Sequence, residues 1–296
     1  MKRSWMKWLG LLVVIGMLAG CSASAKKPVV VASKDFAEQY IVGEMYALLL
    51  EEAGIPVERK LGLGGTPIAH EAIKNGQIDL YPEYTGTALL TVLKLPTEAD
   101  RDVVYQTVSK AYGEQFHLIW LEPAPMNNTQ ALATTQEVAD QYGLRTISDM
   151  AAHAASLRMA GPAEFSERED GLPGIQKAYG GFELAQYVAV EKGLRYQALT
   201  NGQADIAVAF GTDGEIAAFK LVVLEDDKHL FPPYQLAPVV RQATLDSYPQ
   251  IKEQLNKLAP LLTDAVMQQL NYEVSGKQRE PADVAKEFLQ QQGLIK

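Results

Sequence analysis

Asp79-Leu80-Tyr81-Pro82-Glu83-Tyr84-Thr85-Gly86-Thr87 packs two tyrosines, a proline and two threonines at the carboxyl end of a short apolar strand expected at 78–81. What surrounds this stretch decides the fold. Upstream, Val29-Val30-Val31 is a β-branched run and reads as a strand. Asp35-Phe36-Ala37-Glu38 then places an N-cap residue, with a glutamate three residues on, before an amphipathic stretch that ends at Ala53. A second strand is expected at 57–63, a turn at Gly62-Leu63-Gly64-Gly65, and a helix opened by Thr66-Pro67 that stops at Asn75-Gly76. Downstream come a helix at 98–116 and a strand at 118–121. Strands that alternate with helices build an α/β lobe. Such lobes bind ligands at the carboxyl ends of their strands, where Tyr84 and Thr87 stand ready to offer an aromatic face and a hydroxyl. The plainer reading, favoured by periodicity alone, makes Tyr81 and Tyr84 rim or core aromatics.

Beyond Pro123, Pro125 and Asn127-Asn128-Thr129 the pattern starts again. It predicts strands at 131–134, 157–160, 205–210 and 221–224, with helices at 136–142, 148–155, 174–179 and 194–201. Phe231-Pro232-Pro233-Tyr234 interrupts it, and the stiff proline pair fixes where Tyr234 points. One more strand at 237–240 precedes helices at 250–258, 261–273 and 281–292, which lack strands of their own and are expected to pack back on the first lobe. The resulting fold class is α/β with two lobes, 29–127 plus 236–296 and 128–235, crossed at 127–130 and 232–236 with a ligand cleft between them. The length of 296 residues suits two lobes or one large domain.

Composition narrows the function. With 47% hydrophobic and 21% charged residues the chain is ordinary globular material, and its net charge of −9 argues against nucleic acid as a partner. One cysteine excludes a disulfide framework and a cysteine-based zinc site, and the four histidines are scattered, so no metal site is expected. That cysteine, Cys21, ends a leader: Lys2, Arg3 and Lys7 precede an uncharged apolar run from Trp8 to Gly20, closing on Leu18-Ala19-Gly20-Cys21. Thirteen residues at ~1.5 Å rise span about 20 Å, short of a ~30 Å hydrocarbon core, so the run reads as an export signal over residues 1–20. Leu-Ala-Gly-Cys resembles the bacterial lipobox, which implies lipidation at Cys21 and a flexible tether over 21–28.

Motifs of catalysis are missing. Gly62-Leu63-Gly64-Gly65-Thr66 lacks the Gly-Lys-Ser/Thr ending of a phosphate loop and reads as a tight turn with Thr66 as helix cap. There is no Gly-x-Ser-x-Gly elbow and no His-Glu-x-x-His pair. Arg168 lies in a polar stretch typical of a solvated loop, and Glu225-Asp226-Asp227 reads as a solvated face or a docking patch before a metal site.

Five segments together resemble one family: Ser33 to Gln39, Gly62 to Thr66, Tyr81 to Thr87, Arg168 to Gly171 and Val223 to Lys228. It comprises the substrate-binding proteins of osmoprotectant (glycine betaine, carnitine, choline) ABC importers, and the likeness runs from Val29 to about Leu294. The resemblance implies a type II periplasmic-binding fold, no catalysis, no cofactor, and a quaternary ammonium ligand held in an aromatic box. Such a cation cannot donate hydrogen bonds, so π faces must hold it. Carried over by position, the box falls on Tyr84, Phe210 and Tyr234, with Gln130 where the family commonly has tyrosine and Asn128 just before it. The carboxylate of a betaine would meet Thr87, Arg168 and Lys34. Gln130 leaves room for a ligand with a polar arm, such as carnitine or ergothioneine. The implied partners are a permease and an ATPase on separate chains, with the membrane reached through the N-terminal lipid.

Overall fold

The computed structural model describes residues 27–167, 171–190 and 194–296. Within them the chain forms two five-stranded sheets. The first has the order β2-β1-β3-β10-β4, from β1 (Val29–Ala32), β2 (Val57–Lys60), β3 (Leu80–Tyr84), β4 (Leu118–Trp120) and β10 (Leu236–Arg241). The second has the order β7-β6-β8-β5-β9, from β5 (Gln130–Thr134), β6 (Arg158–Gly161), β7 (Gln186–Ala189), β8 (Ile206–Phe210) and β9 (Val222–Leu224). In each sheet the strand that follows a crossing runs against its neighbours: β5 is antiparallel to β8 and β9, and β10 to β3 and β4.

Helices cover both faces of the first sheet, which explains why β1 and β3 are buried along their whole length. Val29, Val31, Leu80 and Tyr84 face the helix Ala37–Glu52, while Val30, Ala32 and Tyr81 face the opposite core with Val104, Val108 and Tyr112. The second sheet buries Leu132, Met159, Ile206 and Val208 on one face and mainly alanines on the other, against the short helix Arg195–Thr200.

β3 begins later than expected and runs straight through Pro82. Pro82 stands opposite Pro238 of β10. The Thr85 N–H donates to the Gln235 carbonyl at 2.9 Å, which makes 85 and 235 a hydrogen-bonded pair and, counting back by alternation, 82 and 238 a non-bonded one. Two prolines therefore oppose each other where this ladder asks for no N–H.

Other departures are local. β7 was not anticipated because its residues are half-exposed at the sheet edge, nor were the helices Gly214–Ala218 and Gln242–Ser247 or the helical segment at 85–92. The C-terminal helices Gln250–Asn256, Asp264–Ser275 and Pro281–Gln291 do pack on the helix Ala37–Glu52. Asp264–Ser275 also packs on Gly214–Ala218, which lies between the two crossings. That approach needs a glycine: a Cβ on Gly214 would stand 2.5 Å from the Tyr272 nitrogen.

Candidate functional site

A cavity of about 550 Å³ opens between the two sheets. Six of the eight ligand-binding positions expected from the sequence line it: Lys34, Tyr84, Thr87, Asn128, Phe210 and Tyr234. Gln130 is not among the lining residues. It pairs in register with Phe210, so the two side chains share one face of the sheet and Gln130 sits beside the wall that Phe210 forms. Arg168 and Cys21 lie outside the described residues.

The backbone explains how the walls are placed. Tyr84 ends β3, and its neighbour Gly86 lets the Tyr234 ring lie directly on the chain: a Cβ there would stand 2.9 Å from that ring and 2.8 Å from the Pro233 carbonyl. Tyr234 is fixed by its own N–H, which donates to Asn127 Oδ1 at 2.7 Å, and by its carbonyl, which accepts from Asn128 N–H at 3.1 Å. The Thr129 hydroxyl donates to the Pro232 carbonyl at 3.0 Å, so the two crossings pin one another.

Asp35-Phe36-Ala37-Glu38 does not form the expected cap. Phe36 occupies the N-cap position with no side-chain cap bond, and Glu38 turns inward, where burial is nearly complete. Its carboxylate accepts from the Tyr84 hydroxyl at 2.6 Å, Asn128 Nδ2 at 2.9 Å and Asn271 Nδ2 at 2.7 Å. These three donors satisfy it better than a helix end would. Burial pushes the Glu38 carboxyl above its ordinary range, and the hydrogen bonds offset only part of that rise. Phe36 is released to the cavity, its ring stacked on Tyr84 at 6.3 Å between centroids. Thr66 likewise is not the cap, a place taken by Gly65. Its hydroxyl accepts from Lys34 Nζ at 3.3 Å.

Two cations at the site are already paired. Lys34 Nζ lies 2.6 Å from Glu83 Oε1 in a fully buried pair and 4.7 Å from the Tyr84 ring centroid. Arg195 and Asp213, which the sequence analysis did not single out, both line the cavity and are joined at 2.5 Å. Glu38 has no cation bonded to its carboxylate among the described residues. A smaller polar compartment of about 250 Å³ adjoins the cavity through Phe36, Asn128, Arg195 and Asp213 and continues to Thr212, Glu215 and Asn271. Four aromatic side chains, Phe36, Tyr84, Phe210 and Tyr234, line the cavity alongside its polar residues. That chemistry suits a cation that cannot donate.

The remaining candidates belong to the fold. Asp226 accepts from the Tyr179 hydroxyl and, at 2.8 Å, from Phe231 N–H, while Asp227 accepts from the Ser148 hydroxyl at 2.6 Å. The acidic run is thus a staple at the edge of the second sheet, not a free face. No group of three or more potential metal ligands occurs among the described residues, and no helix among them is long and apolar enough to cross a membrane.

Two sheets with a cavity at the crossings are the architecture of the type II periplasmic binding proteins. The chain belongs to the family described as the substrate-binding domain of ABC-type glycine betaine transport systems, whose model matches residues 27–291. It is 39% identical over 92% of its length to the ergothioneine transport permease/ergothioneine binding protein EgtU of Helicobacter pylori, and spans 49% of that longer relative. The glycine betaine-binding protein YehZ of Escherichia coli is 35% identical over 98% of both chains. A crystal structure of a glycine betaine/carnitine/choline ABC transporter protein superposes with a TM-score of 0.86, at 33% identity over 90% of this chain and all of the other.

Proposed function

We propose that this chain is the extracytoplasmic, lipid-anchored binding protein of an ABC importer, and that it captures a quaternary ammonium zwitterion between aromatic walls and closes around it. The observation that supports this reading is that Phe36, Tyr84, Phe210 and Tyr234 all line one cavity to which both sheets contribute. Each desolvated ring contributes roughly 0.5–2 kcal/mol to a trimethylammonium. By lobe boundaries at 29–127 with 236–296 and at 128–235, Tyr84 and Thr87 belong to the first lobe, while Phe210 and Tyr234 belong to the second. Arg168, with Lys34 and Thr87, takes the ligand carboxylate, Cys21 carries the lipid, and the loaded protein docks on a permease and an ATPase borne by separate chains. It performs no catalysis.

Calorimetry with glycine betaine, choline, carnitine and ergothioneine tests the ligand class, and scattering with and without the binder tests closure. Binding of at least one with compaction is expected; no binding by any overturns the reading. Arg168→Ala is expected to weaken carboxylated ligands far more than choline. Cys21→Ser is expected to abolish lipidation in the producing cell, as read by mass spectrometry. A second reading, an ergothioneine-like ligand with a polar arm, is favoured by the compartment that adjoins the cavity and by the relative named for that solute.

A further inference from the structure

Asp213 lines both the aromatic cavity and the polar compartment, at the point where they meet. Its Oδ2 accepts three hydrogen bonds: from Arg195 Nη2 at 2.5 Å, from the Tyr196 hydroxyl at 2.5 Å and from Phe210 N–H at 2.9 Å. Those donors leave the carboxylate little freedom to rotate. The Arg195 partner is itself nine-tenths buried, with 9% side-chain exposure against 23% for Asp213. Oδ1 accepts no hydrogen bond from any described residue. Of the other acids that line the two spaces, Glu38 already has both oxygens engaged, Asp35 lines only the cavity and Glu215 only the compartment, so Asp213 is the acid the two share.

We infer that Asp213 Oδ1 is a specificity-determining acceptor: it selects a quaternary ammonium ligand whose arm carries an O–H or N–H donor over one that carries none. This rests on the proposed aromatic-walled reading and deepens it. A trimethylammonium seated beside Phe210 lies three residues along the chain from Asp213, so an arm pointing into the polar compartment passes the open oxygen. Plain glycine betaine has only a carboxylate to present there, which a fixed carboxylate repels. A hydroxyl or ring N–H instead gains a charge-assisted bond to an acceptor that needs no reorganisation.

Carnitine and γ-butyrobetaine differ only by a hydroxyl, which makes them the natural probe, with ergothioneine as the N–H donor and glycine betaine as the second donor-free ligand. The wild-type protein is expected to bind carnitine or ergothioneine at least about tenfold more tightly than both donor-free ligands, the ratio that one hydrogen bond to a charged group confers. Asp213→Asn keeps an oxygen for the three donors and turns an amide N–H₂ toward the junction, and is expected to bring the ratio to within about twofold. Wild-type protein that binds donor-free ligands as tightly, or a preference that survives in Asp213→Asn, overturns the inference while the proposed function stands. Failure of the wild type to bind any of the four overturns the proposed function as well. Should Asp213→Asn not fold, the wild-type ratio between carnitine and γ-butyrobetaine still decides: parity overturns, a tenfold preference supports.

Discussion

The two sides of the cleft are built to different depths. On the first sheet, Lys34, Glu38, Glu83 and Tyr84 are buried and joined by hydrogen bonds and one ion pair before any ligand arrives. On the second, Phe210 and Asp213 are half-exposed, and the face behind them is packed largely with alanine. A wall whose polar groups are satisfied in advance reorganises little when a cation lands on it; on the facing wall Asp213 is likewise pinned by Arg195 and Tyr196, but the packing behind it is shallower. The contrast assigns the deeper polar network to the first sheet and the shallower packing to the second.

Four experiments sharpen or break that contrast. Glu83→Ala leaves the buried Lys34 ammonium unpaired and is expected to cost about 3–5 kcal/mol in urea denaturation; a loss under about 1 kcal/mol would mean the first wall is not preset. Gly214→Val drives a side chain into Tyr272 at the contact between the helices Gly214–Ala218 and Asp264–Ser275, and is expected to weaken ligand binding by about 1–3 kcal/mol with little change in the isolated sheets. Calorimetry with circular dichroism as a control checks it.

The third concerns pH. Glu38 titrates above its unfolded value of 4.5, so between that value and its folded one the native protein holds more protons than the unfolded chain. Stability from this group therefore falls as pH rises through that interval, by at most about 1.4 kcal/mol per pH unit. Urea midpoints of wild type and Glu38→Gln measured from pH 4.5 upward should diverge in that direction, and parallel curves would show that the carboxyl is not buried as described. Gln130→Tyr is the mildest test. A ring beside Phe210 is expected to tighten glycine betaine by about 0.5–1 kcal/mol in calorimetry, and no change places position 130 outside the ligand's reach.

Much of the architecture was legible because it is written in local pattern. The β-branched run at Val29, the glycine turn at Gly62 and the proline pair at Pro232 mark their elements without help from the rest of the chain. What remained hidden depends on residues that meet only in three dimensions. Arg195 and Asp213 are eighteen residues apart and come together because β8 runs between them. Phe36 looked like the entry to a helix, and Glu38 like a helix-cap partner, until Tyr84, Asn128 and Asn271 offered the glutamate a better site and freed the ring for the cavity. Gly86 carried a readable signal, since a glycine within a run of bulky residues marks a place where something lies on the backbone, here the Tyr234 ring.

Asn271 holds both hydrogens of a single amide on different partners, Glu38 Oε2 at 2.7 Å and the Thr212 carbonyl at 2.8 Å. Its helix packs on the one that begins at Glu38's own turn, while Thr212 belongs to the segment after β8, so separation of the two halves has to break the second bond. Water replaces most of what is lost, which leaves a net gain of about 1 kcal/mol for the paired arrangement. A contact of that size governs residence time more than capture: Asn271→Ala should shorten the bound lifetime roughly fivefold and leave the association rate nearly unchanged. For a protein that must surrender its cargo to a transporter, a tether this weak holds the ligand through diffusion without obstructing its release.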